Sequence, residues 1–295
     1  LGVLPLIRFN RRVTHLAWSS AEALWTVTVH ETQPGDERGA AVGPTQTIRA
    51  RFVHLCTGYY HYAEGYRPEF PGETEFLGRF VHPQRWPQDL DHSGKRIVVI
   101  GSGATAVTLV PELAKTAAHV TQLQRSPTYM VAHPAHDTLA QGLRPYLGAK
   151  LTSRLTRWKN LLLGQLFFQF ARRFPEKTAE KIMAQVQEAL GPDYDLRHFR
   201  PRYKPWDQRL CLLPDGDLFE AIRQGRVTVL TDEIERFTAS GLLLKSGQSL
   251  AADAVVTATG LDLLALGGLA LSVDGRAIAL KDTLSYKGMM LSGLP

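Results

Sequence analysis

The chain has 295 residues, 44% hydrophobic and 21% charged, the make-up of an ordinary globular protein with room for one large or two moderate domains. Its 34 Lys and Arg against 28 Asp and Glu leave a charge of +6 with no run of five like charges, which suits anionic cofactors and does not indicate nucleic acid, for which there is neither a clustered basic stripe nor a known binding module. Cys56 and Cys211 form no CxxC, zinc pattern or disulfide framework, so no metal site is expected and a reducing cytoplasm is.

No signal peptide opens the chain, and no apolar window of about eighteen residues is present to span a membrane. The sequence starts at Leu1 without Met, enters strand-like sequence at Ile7 to Asn10, and stops at Pro295 after an apolar stretch, so both ends read as cut. Alternation from Leu4 to His30 predicts an antiparallel hairpin turning at Ser19-Ser20-Ala21-Glu22. Glu31 to Thr45 reads as a Gly/Pro/acid loop, and Thr47 to Leu55 as a strand running into Cys56-Thr57-Gly58. Tyr59 to Gly72 reads as a connector.

A β-branched strand at Arg96 to Ile100 then meets Gly101-Ser102-Gly103-Ala104-Thr105-Ala106, with a helix-like segment from Val107 to Ala117 behind it. This is a dinucleotide fingerprint in a strand-turn-helix setting. Gly101 permits the tight turn, Gly103 lets backbone approach a pyrophosphate, and Ala106 lets the helix lie close to the strand. The pyrophosphate would sit on helix amides that have no internal partner. The alternative is a glycine-rich turn without a ligand.

The second strand, His119 to Gln124, ends in Arg125-Ser126, and no Asp or Glu falls between Glu112 and Asp137 to take a ribose 2′-hydroxyl. A cationic fork at Arg125 and a hydroxyl at Ser126 suit a 2′-phosphate, which points to NADP. The other reading makes Arg125 a solvated strand-end charge.

Thr138 to Ala189 has helical periodicity and is too long for a simple crossover, so it reads as an insertion capping the nucleotide domain. Within it Leu161 to Ala171, preceded by Arg154, Arg157 and Lys159, has two readings. It lies weakly on a membrane surface, or, preferred because the run is short and broken by Gln165 and Gln169, it is buried under its neighbours. Further on, a short helix is predicted at Asp217 to Gln224, a parallel strand at Val227 to Thr231, a small hairpin at Ile234 to Lys245, and a buried strand at Asp253 to Ala258. The strand ends Cys56-Thr57-Gly58 and Ala258-Thr259-Gly260 bracket the nucleotide domain, as when one domain is inserted into another.

Ahead of the glycine turn, Phe76 to Pro87 (F-L-G-R-F-V-H-P-Q-R-W-P) matches F-x-G-x-x-x-H-x-x-x-W-P through Phe76, Gly78, His82, Trp86 and Pro87. In this the chain resembles the Baeyer-Villiger branch of the flavin-containing monooxygenases, although Gln88 stands where that branch usually has Gly or Asp. Cys56 to Gly65, Val98 to Pro111, Gln124 to Tyr129, Pro205 to Leu212 and Tyr286 to Leu291 resemble the ethionamide-activating monooxygenases of actinobacteria.

The resemblance implies an α/β fold, with an NADP-binding Rossmann-like domain inserted into an FAD-binding Rossmann-like domain that is only partial here. The boundaries expected are 1–60 for the partial FAD domain, 61–93 for a linker bearing the motif, 94–258 for the NADP domain with a helical insertion at about 138–200, and 259–295 for the return. It also implies FAD and NADP as cofactors, O₂ as co-substrate, and oxygen transfer through a C4a-peroxyflavin to a small-molecule ketone or a sulfur-containing substrate. By the same likeness Arg209 faces the flavin as the catalytic cation, its alternative being a structural ion pair with Asp207 or another acid. Gln208 stands where many relatives have a 2′-phosphate Lys, and His82, with Trp86 and Pro87, sets hinge geometry. No counterpart of the FAD fingerprint is found, so a truncated, non-catalytic NADP-binding fragment is the second reading.

Overall fold

The structure is a computed structural model and describes residues 2–34, 41–288 and 290–294. Leu1 and Pro295, residues 35–40 of the expected acidic loop, and Met289 of the Tyr286 to Leu291 segment lie outside the described residues. In chain order the elements are β1 (Arg11–Ser19), β2 (Leu24–Thr32), β3 (Ala41–Ala50), β4 (Tyr60–Gly65), β5 (Arg79–Val81), β6 (Arg96–Ile100), α1 (Ala104–Leu113), β7 (His119–Gln124), β8 (Tyr129–His133), α2 (Thr138–Arg173) and α3 (Pro175–Leu190). There follow β9 (Leu210–Pro214), α4 (Asp217–Arg223), β10 (Val227–Thr231), β11 (Ile234–Thr238), β12 (Gly241–Leu244), β13 (Ser249–Ala251), β14 (Ala254–Thr257), β15 (Leu261–Leu263), β16 (Ala270–Val273), β17 (Arg276–Ile278), β18 (Ser285–Tyr286) and β19 (Met290–Leu291).

These elements form two compact units, and the second, Arg67–Gly260, is inserted in sequence between the two segments of the first, Leu1–Tyr66 and Leu261–Pro295. The first unit is built on the sheet β17-β16-β1-β2-β3, in which β16 runs parallel to β1 and the other pairs are antiparallel. The hairpin expected from Leu4 to His30 is present as β1 and β2, with Trp18 opposite Trp25 and their rings 5.4 Å apart, but it starts at Arg11: Leu4–Leu6 is a single 3-10 turn and Ile7 to Asn10 is not strand.

Three further local expectations in this unit are corrected. The loop expected to Thr45 is strand at both ends, because the β2-β3 pairing reaches His30 opposite Thr45 and Thr32 opposite Ala41. The strand expected over Thr47 to Leu55 instead stops at Ala50, where that pairing ends. The connector expected from Tyr59 contains β4, whose ladder partner β15 lies some two hundred residues away and is invisible to local pattern.

The second unit is a parallel sheet of order β10-β7-β6-β14-β5. Such sheets need cover on both faces, which is why β6 and β14 are near-continuous apolar runs. Ile97 and Val99 of β6 face a cluster with Val107 and Val110 of α1, Val186 of α3 and Leu218 of α4. Val98 and Ile100 point the other way, into a cluster with Phe237, Leu242 and Leu244 of the antiparallel sheet β11-β12-β13. That second cover is a three-stranded sheet where the sequence predicted only a hairpin. Helix α1 also begins three residues before the predicted Val107, directly on Gly103.

Residues Phe76 to Val81 belong to the second unit, where β5 pairs with β14 at the sheet edge. Phe76 is 8% exposed and packs edge-on against Phe80 and Phe237, with centroids 5.3 Å and 5.7 Å away. Its ring folds back over Gly78, where an added Cβ would stand 2.3 Å from Phe76 Cζ and 2.6 Å from the Asp253 carbonyl oxygen. Neither neighbour has room to retreat. Gly78→Ala is expected to lower unfolding free energy by roughly 1–3 kcal/mol in urea titration, while Leu77→Ala at an 86% exposed position changes little. Equal midpoints for the two variants would show that packing does not require this glycine.

Candidate functional site

The site is assembled where three segments of the second unit meet: the β6–α1 turn, the stretch after β7, and the stretch before β9. At the turn the Gly101 amide donates to the Leu123 carbonyl at 2.8 Å, and the Gln122 Nε2 group donates to the Gly101 carbonyl at 3.2 Å. Gly101 has φ of +145°, and a Cβ there would lie 2.4 Å from the Ala258 carbonyl oxygen, so only glycine passes between β7 and the end of β14. Above Gly103 there is open space: a Cβ would meet nothing within 4 Å. Gly103 caps α1 without a side-chain hydrogen bond, which leaves the first helix amides at Ala104, Thr105 and Ala106 without side-chain caps at the positive end of the helix dipole. Ala104 and Thr105 are exposed there, whereas Ala106 is fully buried against the sheet.

Ser102 is the point of convergence. Its Oγ, 6% exposed as a residue, accepts from Thr128 Oγ1 at 3.1 Å and from Arg209 Nη2 at 3.0 Å, and Arg209 Nε donates to Thr128 Oγ1 at 3.1 Å. The guanidinium is therefore seated on two neutral hydroxyls, and its charge is not cancelled. Asp207, the acid proposed as a structural partner for Arg209, pairs with Arg172 instead.

The backbone at Arg209 is fixed from behind. Tyr203 donates from its hydroxyl to the Arg209 carbonyl at 2.8 Å and meets Tyr129 edge-to-face at 5.4 Å. Trp206 has φ of +68°, costly for a bulky residue, and its ring is held by Phe167 and Phe168. Gln208 is exposed beside it.

Arg125 and Ser126 are exposed at the carboxyl end of β7, on the same edge of the sheet as the glycine turn, and Arg125 makes no hydrogen bond or ion pair among the described residues. Its positive charge helps hold the Glu233 carboxylate below its usual range, after the larger effect of Lys245. Beneath it Gln124 is buried and donates to the His198 carbonyl at 2.6 Å and to Thr231 Oγ1 at 3.0 Å.

His82 lies outside this cluster. Its Nε2 donates to the Gly260 carbonyl at 3.2 Å and its Nδ1 accepts the Gln84 amide at 3.3 Å. Gly260 is the last residue before the chain leaves the second unit. Trp86 is half-buried against the helix-side core, and Pro87 is also half-buried. Thr128, His198, Gln122 and Tyr203 were not singled out from sequence. Thr128 follows Arg125 by three positions, but no spacing rule marks a hydroxyl that reaches back to a turn.

In the first unit a cavity of about 580 Å³ is lined by Leu16, Val27, Val53, Leu55 and Leu266, with Arg11 on its wall. Among the described residues this unit contains no α-helix, and so no strand-to-helix glycine turn. No group of three or more His, Cys, Asp or Glu able to hold a metal occurs among the described residues, and no helix is long and apolar enough to cross a membrane.

Residues 43–264 match the family described as flavin-binding monooxygenase-like. The chain belongs to that family. It is 48% identical over 296 residues to the FAD-containing monooxygenase EthA of Mycobacterium tuberculosis, covering 100% of this chain and 58% of that protein. The chain therefore spans a little over half the length of that relative. Two solved structures have a similar fold. The polycyclic ketone monooxygenase of the fungus Thermothelomyces thermophila gives a TM-score of 0.69 at 18% identity, over 93% of this chain and 52% of that one. An oxidised steroid monooxygenase bound to NADP gives 0.65 at 23% identity, over 92% and 56%.

His198 gives the strand-end support a pH dependence. Its Nε2 accepts from Arg197 and its Nδ1 lies 3.0 Å from Thr231 Oγ1, so the network is built for the neutral ring. Burial, and then the Arg197 charge, push its pKa below the ordinary value, with Asp195 opposing. The unfolded chain takes up this proton near pH ~6.5 and the folded chain only at lower pH. The stabilisation is complete above that value and falls as the pH drops below it. Urea midpoints should decline from pH 7.5 to pH 5.5, and less steeply in His198→Gln; parallel declines would remove His198 as a source.

Proposed function

We propose that this chain is the coenzyme-handling part of an NADPH- and O₂-dependent flavoprotein monooxygenase of Baeyer-Villiger type, acting on a small ketone to give an ester or on the sulfur of a thioamide or sulfide. The observation that carries the reading is the β6–α1 turn: a helix start with open space over Gly103 and a cation seated on Ser102. Its residues fit a dinucleotide pyrophosphate, with amides of Gly103 to Ala106 as donors, and Arg125 with Ser126 available for a 2′-phosphate. Gln208 is exposed on the approach to Arg209 and is a further candidate contact. The relative EthA is named as FAD-containing, and the steroid monooxygenase was solved with NADP, which supports both cofactors for the family fold.

Bound flavin supplies the redox chemistry that joins NADPH oxidation to oxygen transfer. What this chain's residues contribute is binding, orientation and charge. The Arg209 guanidinium is a fixed cation, so it stabilises negative charge that develops on a substrate carbonyl oxygen. Ser102 and Thr128 hold its fork and, through Ser102, tie it to the turn that binds the coenzyme. His82 steadies the carbonyl of Gly260, at which the chain passes between units, and the half-buried Trp86-Pro87 stiffens the segment that carries it, a conformational role for the motif. The domain labels follow: the second unit is the NADP domain and the first a partial FAD domain.

The second reading is an NADP-binding fragment without oxygen chemistry. The described residues of the first unit offer no glycine turn to hold an FAD pyrophosphate. No step is therefore routed through FAD held by this chain alone. Arg125→Gln is expected to raise the NADPH dissociation constant by about ten- to a hundredfold, the worth of one charged phosphate contact, with NADH unchanged. Titration by tryptophan fluorescence reads this, and equal losses for both coenzymes would remove the 2′-phosphate role.

A further inference from the structure

Helix α2 was expected to be buried around Leu161 to Ala171, and it is not. Of its 36 residues only Thr152 and Ala171 are buried, while Trp158 and Leu162 are each 56% exposed and Leu166 is 65% exposed. Gly148 breaks the helix with φ of +69°, and beyond it Leu151, Leu155, Trp158, Leu162 and Leu166 recur at spacings of three and four. This lays one continuous apolar stripe roughly 22 Å long along a helix rising about 1.5 Å per residue.

Charge follows the same helix. Thr138–Arg173 holds five Arg, two Lys and no Asp or Glu, so it carries +7 where the whole chain nets +6. Lys159 and Arg172 are paired with Asp137 and Asp207. Lys150, Arg154 and Arg157 recur at four and three along a row beside the stripe, all exposed and without an ion pair among the described residues. A soluble surface does not normally leave so long an apolar face in water. Leu and Trp on one side with a row of cations next to it is the composition of a helix that lies in the headgroup region of a bilayer, and the cations draw it to anionic lipid.

We propose that the α2 stripe, with Lys150, Arg154 and Arg157, docks this protein on the surface of an anionic membrane, lying in its plane without spanning it. The surface is separate from the glycine turn, so this stands whether or not the monooxygenase reading does. It also suits that reading, since apolar ketones and sulfides concentrate in bilayers.

The test is co-sedimentation of the chain with vesicles of phosphatidylglycerol and of phosphatidylcholine, comparing wild type with Trp158→Ser/Leu162→Ser and with Lys150→Glu/Arg154→Glu/Arg157→Glu. Every substituted side chain is exposed, and circular dichroism checks that each variant keeps its helices. Binding to phosphatidylglycerol at least tenfold tighter than to phosphatidylcholine, weakened by salt and reduced tenfold or more in either variant, is the expected result. Equal binding to both lipids, or undiminished binding in both variants, would overturn the proposal. So would sedimentation velocity showing a lipid-free oligomer that the variants dissolve, since a second copy would then cover the stripe.

Discussion

The close approach of three strands at Gly101 is the constraint on which the site rests. Its amide is tied to Leu123 on β7, its carbonyl is taken by Gln122, and its α-carbon is pressed against the Ala258 carbonyl after β14. No side chain fits there. The turn is thereby held rigid before any ligand arrives, and the helix that follows points its unshared amides into open space. Pre-organisation of this kind lowers the ordering cost of binding.

Arg209 depends on that turn. Its guanidinium sits on Ser102 and Thr128, and its backbone is braced by Tyr203 and by the strained Trp206 that α2 packs against. The glycine turn and the cation are one hydrogen-bonded assembly, so a change at the turn reaches the cation through Ser102 and Thr128. The sequence motif around Phe76 has a structural explanation of its own: Phe76 and Gly78 close the second face of the sheet, and His82 holds the carbonyl at the unit boundary.

Much of this was legible in the residues. The strands Arg96–Ile100 and His119–Gln124 were bounded correctly, the first because a parallel central strand is an apolar run that ends at turn residues. The inserted layout was visible in the paired segments Cys56-Thr57-Gly58 and Ala258-Thr259-Gly260, although the first lies past the end of β3 at Ala50. Pairings distant in sequence were not visible, as β4 with β15 shows, nor was the third strand that completes the cover over Phe237. Thr128 escaped because its role lies in where its hydroxyl points. The exposure of α2 was misjudged for a related reason: apolar content predicts burial only when a neighbour is present to bury against, and the chain's own fold supplies none for Leu162 or Leu166.

The central claim is that the turn after β6 receives the pyrophosphate of a dinucleotide. Hydrogen–deuterium exchange of the intact chain with and without saturating NADP⁺ addresses it at the level of single peptides. The account predicts slowed exchange over Ser102 to Ala106, where amides gain acceptors, and at the Arg125 strand end. Exchange there unchanged by coenzyme, with protection elsewhere or nowhere, would contradict it.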